Sequence, residues 1–355
     1  MVAPKISTPW TEGRKKYFID LIEELKQYHN VSVAVSCDFG SETISDCAWS
    51  VVYCRSTFQH VTSLVGHVRQ LLADVEFDLV CYLPFGVFGG IRGVGNLVGI
   101  KLIEYLSRLS GAKVVSLMYS VSREAKRWYI SPFIKNIVRN QFSSDVRSVC
   151  YGLHLKQYEN ASFKGIKSKR LLFMAGMTEK NQERFDYVLN VRGLSVLLRA
   201  GKELYQRGYT LTVACPIFES DMLRKQLKEL SLNTWPEENL KILNEVTVPG
   251  IFAVHEVFIF PYGREELQFI PTSVLEAMYN YVPVILSNCN FLQPLINGEG
   301  MYACSFDVND HLSLLSALIR SADGLDLERR TMAAYQFAQS FSIEKAAIEL
   351  VKIAK

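Results

Sequence analysis

Several features that would point quickly to a function are scarce or missing from this chain. Its six histidines are scattered over 355 residues, and no Asp-rich or His-rich cluster accompanies them. No metal centre is therefore expected. The eight cysteines, at 37, 47, 54, 81, 150, 215, 289 and 304, form no CxxC pair and lie mostly in apolar runs such as FDLVCYL. They read as reduced core thiols of a cytoplasmic protein rather than as a disulfide framework or a zinc site. No apolar run approaches the ~18 residues of a membrane span. The N-terminus lacks the basic start and apolar stretch of a secretory signal. A net charge of +3 is too small to attract polyphosphate without regard to sequence, which argues against a nucleic-acid partner. No internal repeat or low-complexity segment is present.

What is present describes an ordinary folded protein. Hydrophobic residues make up 49% of the chain and charged residues 21%, enough apolar area to offset the entropy of ordering. The length suits two domains of roughly 100–200 residues. Helix and strand signals alternate. Phe18, Leu21, Ile22 and Leu25 share one helical face of segment 17–28, and VSVAV (31–35) follows as a strand. The rhythm continues as helix 61–74 and strand 77–83, then helix 97–109 and strand 113–118. Later come strand 170–175, helix 194–207 and strand 210–214. Strands separated by helices predict parallel sheets covered on both faces. The polar, aperiodic stretch YENASFKGIKSK (158–169) reads as a linker. The expected domains are residues 1–160, 161–335 and a terminal helix 336–355. Each large domain is α/β, with ligands outside the carboxyl ends of the strands.

The stretch PYGREELQFIPTSVLEAMYNYVPVILSN (261–288) sets one carboxylate, Glu276, in an otherwise apolar helix start. Pro271 precedes Thr272 and Ser273, whose amides fall among the first-turn donors without intrahelical acceptors. Such an end, at the positive pole of the helix dipole, suits an anion. Glu276, one turn further on, could accept from a ribose diol. It could equally complement the helix N-terminus, a contribution of ~0.3–1 kcal/mol. Chemistry alone leaves these two readings even.

The same residues resemble the core signature of the family 4 GT-B glycosyltransferases. SVLEAM, with Glu276, and VPVILSN match the second half of that signature. The opening TPWTEGRKKYFIDLIEELKQYHNVSVAV, with Gly13, resembles the family's glycine loop and first helix. CYGLHL (150–155) resembles its interdomain turn. RLLFMAG, ending at Gly176, resembles the first strand of its nucleotide-binding domain. SFSIEKAAIEL resembles its terminal helix, which crosses back to the first domain. The resemblance implies a GT-B protein of two Rossmann-like, doubly wound domains facing a cleft. The implied activity is retaining transfer of a hexose from a nucleotide diphosphate sugar, UDP-glucose being the leading donor by commonness. The implied acceptor is a glycan or another hydroxyl, and no cofactor beyond the donor is required. The degenerate motifs and short first strand resemble those of a divergent member encoded by a large DNA virus, such as a chlorovirus, in which case the setting is the host cytoplasm.

The departures from the pattern matter as much. The family's first signature Glu falls on Gln268, which can bond a sugar hydroxyl but cannot act as a carboxylate. The diphosphate Arg of the pattern falls on Met177. Its Lys falls on Arg192 of VRGL, after what looks like an insertion, 178–189, where Lys180 or Arg184 could compensate. The first-domain His falls on Tyr119. Glu245 and Val246 lie in the loop corresponding to the family's base contacts. The mechanism consistent with Gln268 is front-face attack, with the leaving phosphate held by the helix start at Pro271, Thr272 and Ser273 and by Arg192. Two rivals follow from the same resemblance. A non-catalytic nucleotide-sugar binder would account for Gln268, Met177 and Tyr119 together. A nucleotide-sugar 2-epimerase needs carboxylates for proton transfer, which Gln268 argues against.

Two further segments carry groups capable of binding. PFGVFGGIRGVGN (84–96) is glycine-rich, but a G-x-G-x-x-G fingerprint would need glycine where Val98 stands. It reads either as a purely structural loop or as an acceptor loop using Gly90 and Arg92. VSREAKRWYISPFIKNIVRNQF (121–142) interleaves basic and aromatic residues as a membrane-surface helix would. Pro132 interrupts it, so a solvated basic helix face is expected there instead. His255 falls near an element end with no partner that the sequence can name.

Overall fold

The computed structural model describes residues 2–3, 13–38, 49–54, 57–82, 99, 101–103, 105–118, 135–138, 162–177, 179–244, 250–264, 270–297, 302–321 and 324–354. Two compact units emerge. The first comprises Met1–Gly152 with Ser342–Lys355, and the second Leu153–Phe341.

Among the described residues the first unit holds six parallel strands. They are β1 (Val2–Ala3), β2 (Val33–Asp38), β3 (Trp49–Cys54), β4 (Leu79–Tyr82), β5 (Lys113–Met118) and β6 (Lys135–Val138), in the order β3-β2-β1-β4-β5-β6. The helix Gly13–Lys26 forms because Tyr17, Phe18, Leu21, Ile22 and Leu25 recur on one face; all five are buried. The helix Ile343–Ala354 packs on it and against β5, burying Ile343, Ala346, Ala347 and Leu350. Residues 135–138 correct one expectation. They pair with β5 as an edge strand, so the basic segment 121–142 is not a single helix. The β-branched and hydrogen-bonding demands of the β5 edge override the helical spacing there.

The second unit repeats the plan. Its strands are β7 (Arg170–Met174), β8 (Thr210–Ala214), β9 (Leu240–Leu243), β10 (Val257–Phe260), β11 (Val284–Ser287) and β12 (Cys304–Phe306), in the order β12-β11-β10-β7-β8-β9. Every pairing is parallel. β10 and β11 are buried at every position, as strands covered on both faces should be. In both units the first strand lies beside the fourth, so the sheet order reverses between them. In a doubly wound sheet that reversal opens a crevice beyond the carboxyl ends of the two strands. In the second unit it lies between β7 and β10.

Segment 194–207 is two helices, Leu194–Arg199 and Gly201–Gln206, rather than one. Gly201 sits against the buried Trp235 indole. A Cβ there would come within 2.4 Å of Trp235 Nε1, and the same indole N–H donates to the Leu197 carbonyl at 3.1 Å, the acceptor that an unbroken helix would offer to Gly201.

Candidate functional site

The carboxyl ends of β7, β8 and β10 bring a small set of groups to one edge of the second sheet. After β7, Gly176 is exposed and Met177 turns its side chain onto the core. After β8, the Cys215 thiol donates to the Met177 carbonyl at 3.8 Å. Burial raises the Cys215 pKa to about 11, although the nearby positive charge of Arg192 acts in the opposite direction. After β10 the chain runs Pro261, Tyr262, Gly263 and Arg264 before the helix Thr272–Tyr279 begins.

Arg192 reaches this edge through an unusual local structure. The short helix Gln182–Asp186, capped by the Asn181 side chain, runs into a π turn, Tyr187–Val191. The Arg192 amide closes the turn by donating to the Tyr187 carbonyl, five residues back, at 2.9 Å. Gly193 follows with φ +80°. A Cβ at Gly193 would lie 1.6 Å from the Pro261 carbonyl oxygen, so only glycine fits this approach. The Gly263 amide donates to Val191 O at 2.8 Å, and a Cβ at Gly263 would come within 2.8 Å of Asn190 O. The π turn is thereby fastened to the loop that leaves β10.

Two tyrosines hold the guanidinium. Arg192 Cζ lies 5.9 Å from the centre of the Tyr187 ring and 5.5 Å from that of Tyr262, both within cation–π range. The two tyrosine hydroxyls are 3.3 Å apart. Tyr262 is fully buried and held on several sides. It stacks on Phe260 and meets Phe291 edge-on, while its carbonyl accepts from Ser287 Oγ at 2.7 Å and from the Cys289 thiol at 3.3 Å. Against this rigid support the Arg192 Nε–H is buried and has no hydrogen-bond partner. A buried donor left unmatched costs about 1–3 kcal/mol, a cost that an anionic acceptor would relieve.

The helix Thr272–Tyr279 gives the second set of donors. Its cap residue, Pro271, makes no side-chain capping bond; its carbonyl accepts from the amides of Val274 and Leu275. The preceding amides, those of Thr272 and Ser273, are first-turn donors with no acceptor inside the helix. Both residues are half-buried. Glu276 is buried on this helix, which packs on the helix Gly324–Gln339. Asn280 ties off the carboxyl end by donating its amide and side chain to the Glu276 carbonyl.

Arg192, Gly176, Pro271, Thr272, Ser273 and Glu276 all belong to loops or helices at the carboxyl edge of this sheet. Gly13 opens the first helix of the other unit. Tyr119, Gly90, Arg92, Glu245, Val246 and Gln268 lie outside the described residues. Lys180 and Arg184 are engaged elsewhere. Lys180 pairs with Glu219 at 2.6 Å, and Arg184 pairs with Glu179 at 2.8 Å, which raises the Arg184 pKa. Sequence reasoning missed Tyr187, Gly193, Tyr262 and Gly263. The only local signals for them are the RG step at 192–193 and the PYG turn directly after an all-apolar strand.

Among the described residues no group of three or more His, Cys, Asp or Glu is arranged to hold a metal ion, and no helix is long and apolar enough to cross a membrane.

Residues 168–323, which carry all of these described second-unit groups, match the family described as glycosyl transferases group 1. No curated protein matches the chain. Among solved structures, a glycosyltransferase from Rickettsia africae superposes with a TM-score of 0.74 at 14% identity, covering 100% of this chain and 97% of its own. Anabaena HepE in complex with UDP and glucose gives 0.70 at 12% identity, covering 99% and 98%. Sucrose-phosphate synthase from Thermosynechococcus elongatus gives 0.68 at 13%, covering 99% and 97%. The fold is that of the GT-B glycosyltransferases, and the second unit carries a glycosyltransferase group 1 domain.

Proposed function

We propose that this chain is a retaining hexosyltransferase that uses a nucleotide diphosphate sugar, with UDP-glucose the first donor to try. The observation that carries the reading is Arg192, a permanent cation fixed at the switch point of the second sheet with its Nε–H buried and unmatched. A diphosphate supplies the missing acceptors. The amides of Thr272 and Ser273 add donors at the same sheet edge, and Glu276 can accept from the ribose hydroxyls. HepE, which has the same fold, was solved with UDP-glucose bound, and this supports UDP-glucose as the donor.

In the proposed reaction the bond between the sugar C1 and the diphosphate oxygen loosens first. Negative charge develops on that oxygen, where Arg192 and the helix amides stabilise it. Donors so placed contribute about 3–4 kcal/mol each in oxyanion-type sites. The acceptor hydroxyl then attacks C1 on the face the phosphate is leaving and passes its proton to the phosphate oxygen. Configuration at C1 is retained without a protein nucleophile, consistent with an amide at Gln268. In this reading Gln268 bonds the donor sugar, Tyr119 lies by the reacting centre, Glu245 and Val246 meet the base, Gly13 admits the donor, and Gly90 and Arg92 meet the acceptor.

A second reading is favoured by one observation. Met177 faces the core, and of the three cations Lys180, Arg184 and Arg192 the first two are ion-paired, which leaves Arg192 as this reading's diphosphate partner. A protein that binds the donor without transferring it would need no more. The test is incubation with labelled UDP-glucose and a panel of hydroxyl acceptors, measuring UDP release and glucosylated product separately, with Arg192→Ala in parallel. The proposal expects both signals, with donor affinity and turnover each down about tenfold or more in the variant, the scale of one charge-assisted hydrogen bond. Binding with neither hydrolysis nor transfer would favour the second reading, and unchanged kinetics in Arg192→Ala would remove it from the site.

A further inference from the structure

We infer that Tyr187 is a positioning residue that preorganises Arg192 for the diphosphate, and that the π turn exists to bring the two side chains together. The inference rests on the donor site proposed above. In a regular α-helix, side chains five residues apart point about 140° away from each other. Tyr187 and Arg192 are five apart, yet the guanidinium carbon lies over the Tyr187 ring. The ring closed by Arg192 N and Tyr187 O is the wider i→i+5 turn, which places the fifth residue back above the first.

The partner surface comes from a distant part of the chain. Tyr262 presents the second ring, and its hydroxyl meets that of Tyr187, so the two rings form one support under the cation. Tyr262 cannot give way, because Ser287, Cys289, Phe260 and Phe291 fix it. Tyr187 is only half-buried and sits at the end of a short helix, so its position depends on the pair itself. Arginine is a rotamer-rich side chain, and holding it before the ligand arrives removes an ordering cost from binding. The role assigned to Tyr187 is thus to act through Arg192, not to touch the substrate.

The experiment is calorimetric titration of UDP, with GDP as the alternative nucleotide, into the full chain and into Tyr187→Leu, Tyr187→Phe, Arg192→Ala and the Tyr187→Leu/Arg192→Ala double variant. Thermal melts of each accompany the titrations. Tyr187→Leu is expected to bind about three- to tenfold more weakly, the range of a partly desolvated cation–π contact. Tyr187→Phe keeps the ring and restores most of that loss. In the Arg192→Ala background the Tyr187→Leu change costs nothing further. A Tyr187→Leu loss that persists undiminished without Arg192 would overturn the inference, as would full affinity in Tyr187→Leu beside weakened Arg192→Ala. Full affinity in Arg192→Ala would overturn the donor-site reading, and this inference with it.

Discussion

The two ends of the second sheet are built from the same strands and are finished in opposite ways. At the amino end, the Glu256 carboxylate accepts the Ser168 amide on both oxygens, at 3.0 and 2.7 Å, and faces Arg170 at 3.6 Å. Lys164 donates to Ala253 O, Lys169 donates to Arg207 O, and His255 Nδ1 lies 2.6 Å from Ile251 O. These groups satisfy one another. At the carboxyl end, a buried guanidinium N–H is unmatched, and a helix opens on a proline that makes no side-chain cap. Protein interiors rarely leave such donors idle. The contrast marks one end as a clasp for the fold and leaves the other with donors that the proposed diphosphate would match.

The largest expected break in that contrast is Gly193→Ala. A side chain at φ +80° costs about 1–2 kcal/mol, and displacing the Pro261 carbonyl adds about 1–3 kcal/mol. The variant should lose about 3 kcal/mol in denaturant unfolding. UDP affinity should fall with it, because the Arg192 support shifts. Glu256→Ala acts on the other end. It strips the Ser168 amide of its acceptor and should cost about 1–2 kcal/mol of stability, while UDP affinity in calorimetry stays at the wild-type value. Equal losses of affinity in the two variants would erase the distinction between the ends.

The smallest effect is a tilt with pH. Burial is the main cause that lowers the His255 pKa from its ordinary 6.5, so the native imidazole stays neutral where the unfolded one takes a proton. Its contribution is present above pH 6.5 and is lost as pH falls toward the folded pKa, because the unfolded state binds more protons there. Melting temperatures at pH 7.5 and 5.5 should therefore differ less in His255→Gln than in the wild type. A wild-type difference that survives the substitution would assign the tilt to other groups.

Much of this architecture was legible in the sequence, for identifiable reasons. Strand 210–214 falls where alternation and flanking turns put it, and β7 ends one residue earlier than expected. The helix start at Thr272 was readable because Pro271 announces it locally. Residues 49–54, WSVVYC, form a strand absent from the expected helix–strand alternation, although the paired valines at 51 and 52 favour one. What could not be read was set by distant neighbours. The break at Gly201 depends on Trp235, and the edge strand 135–138 depends on β5. The Arg192 support needs a π turn that no periodicity encodes and a tyrosine 75 residues downstream of Tyr187. The local Pro-Thr-Ser pattern pointed to a helix start suited to an anion, whereas the rigidity of the Arg192 support comes from tertiary packing.

The return of helix Ile343–Ala354 to the first unit sets an order of events during synthesis. The apolar face of helix Gly13–Lys26 that this segment covers is made first, yet its cover is translated only after the whole of 153–341. The first unit therefore lacks that wall until residues 342–355 are made, and its core depends on contacts of very high sequence separation. A chain cut after Phe341 would keep every residue of the second unit and strip the first of one wall.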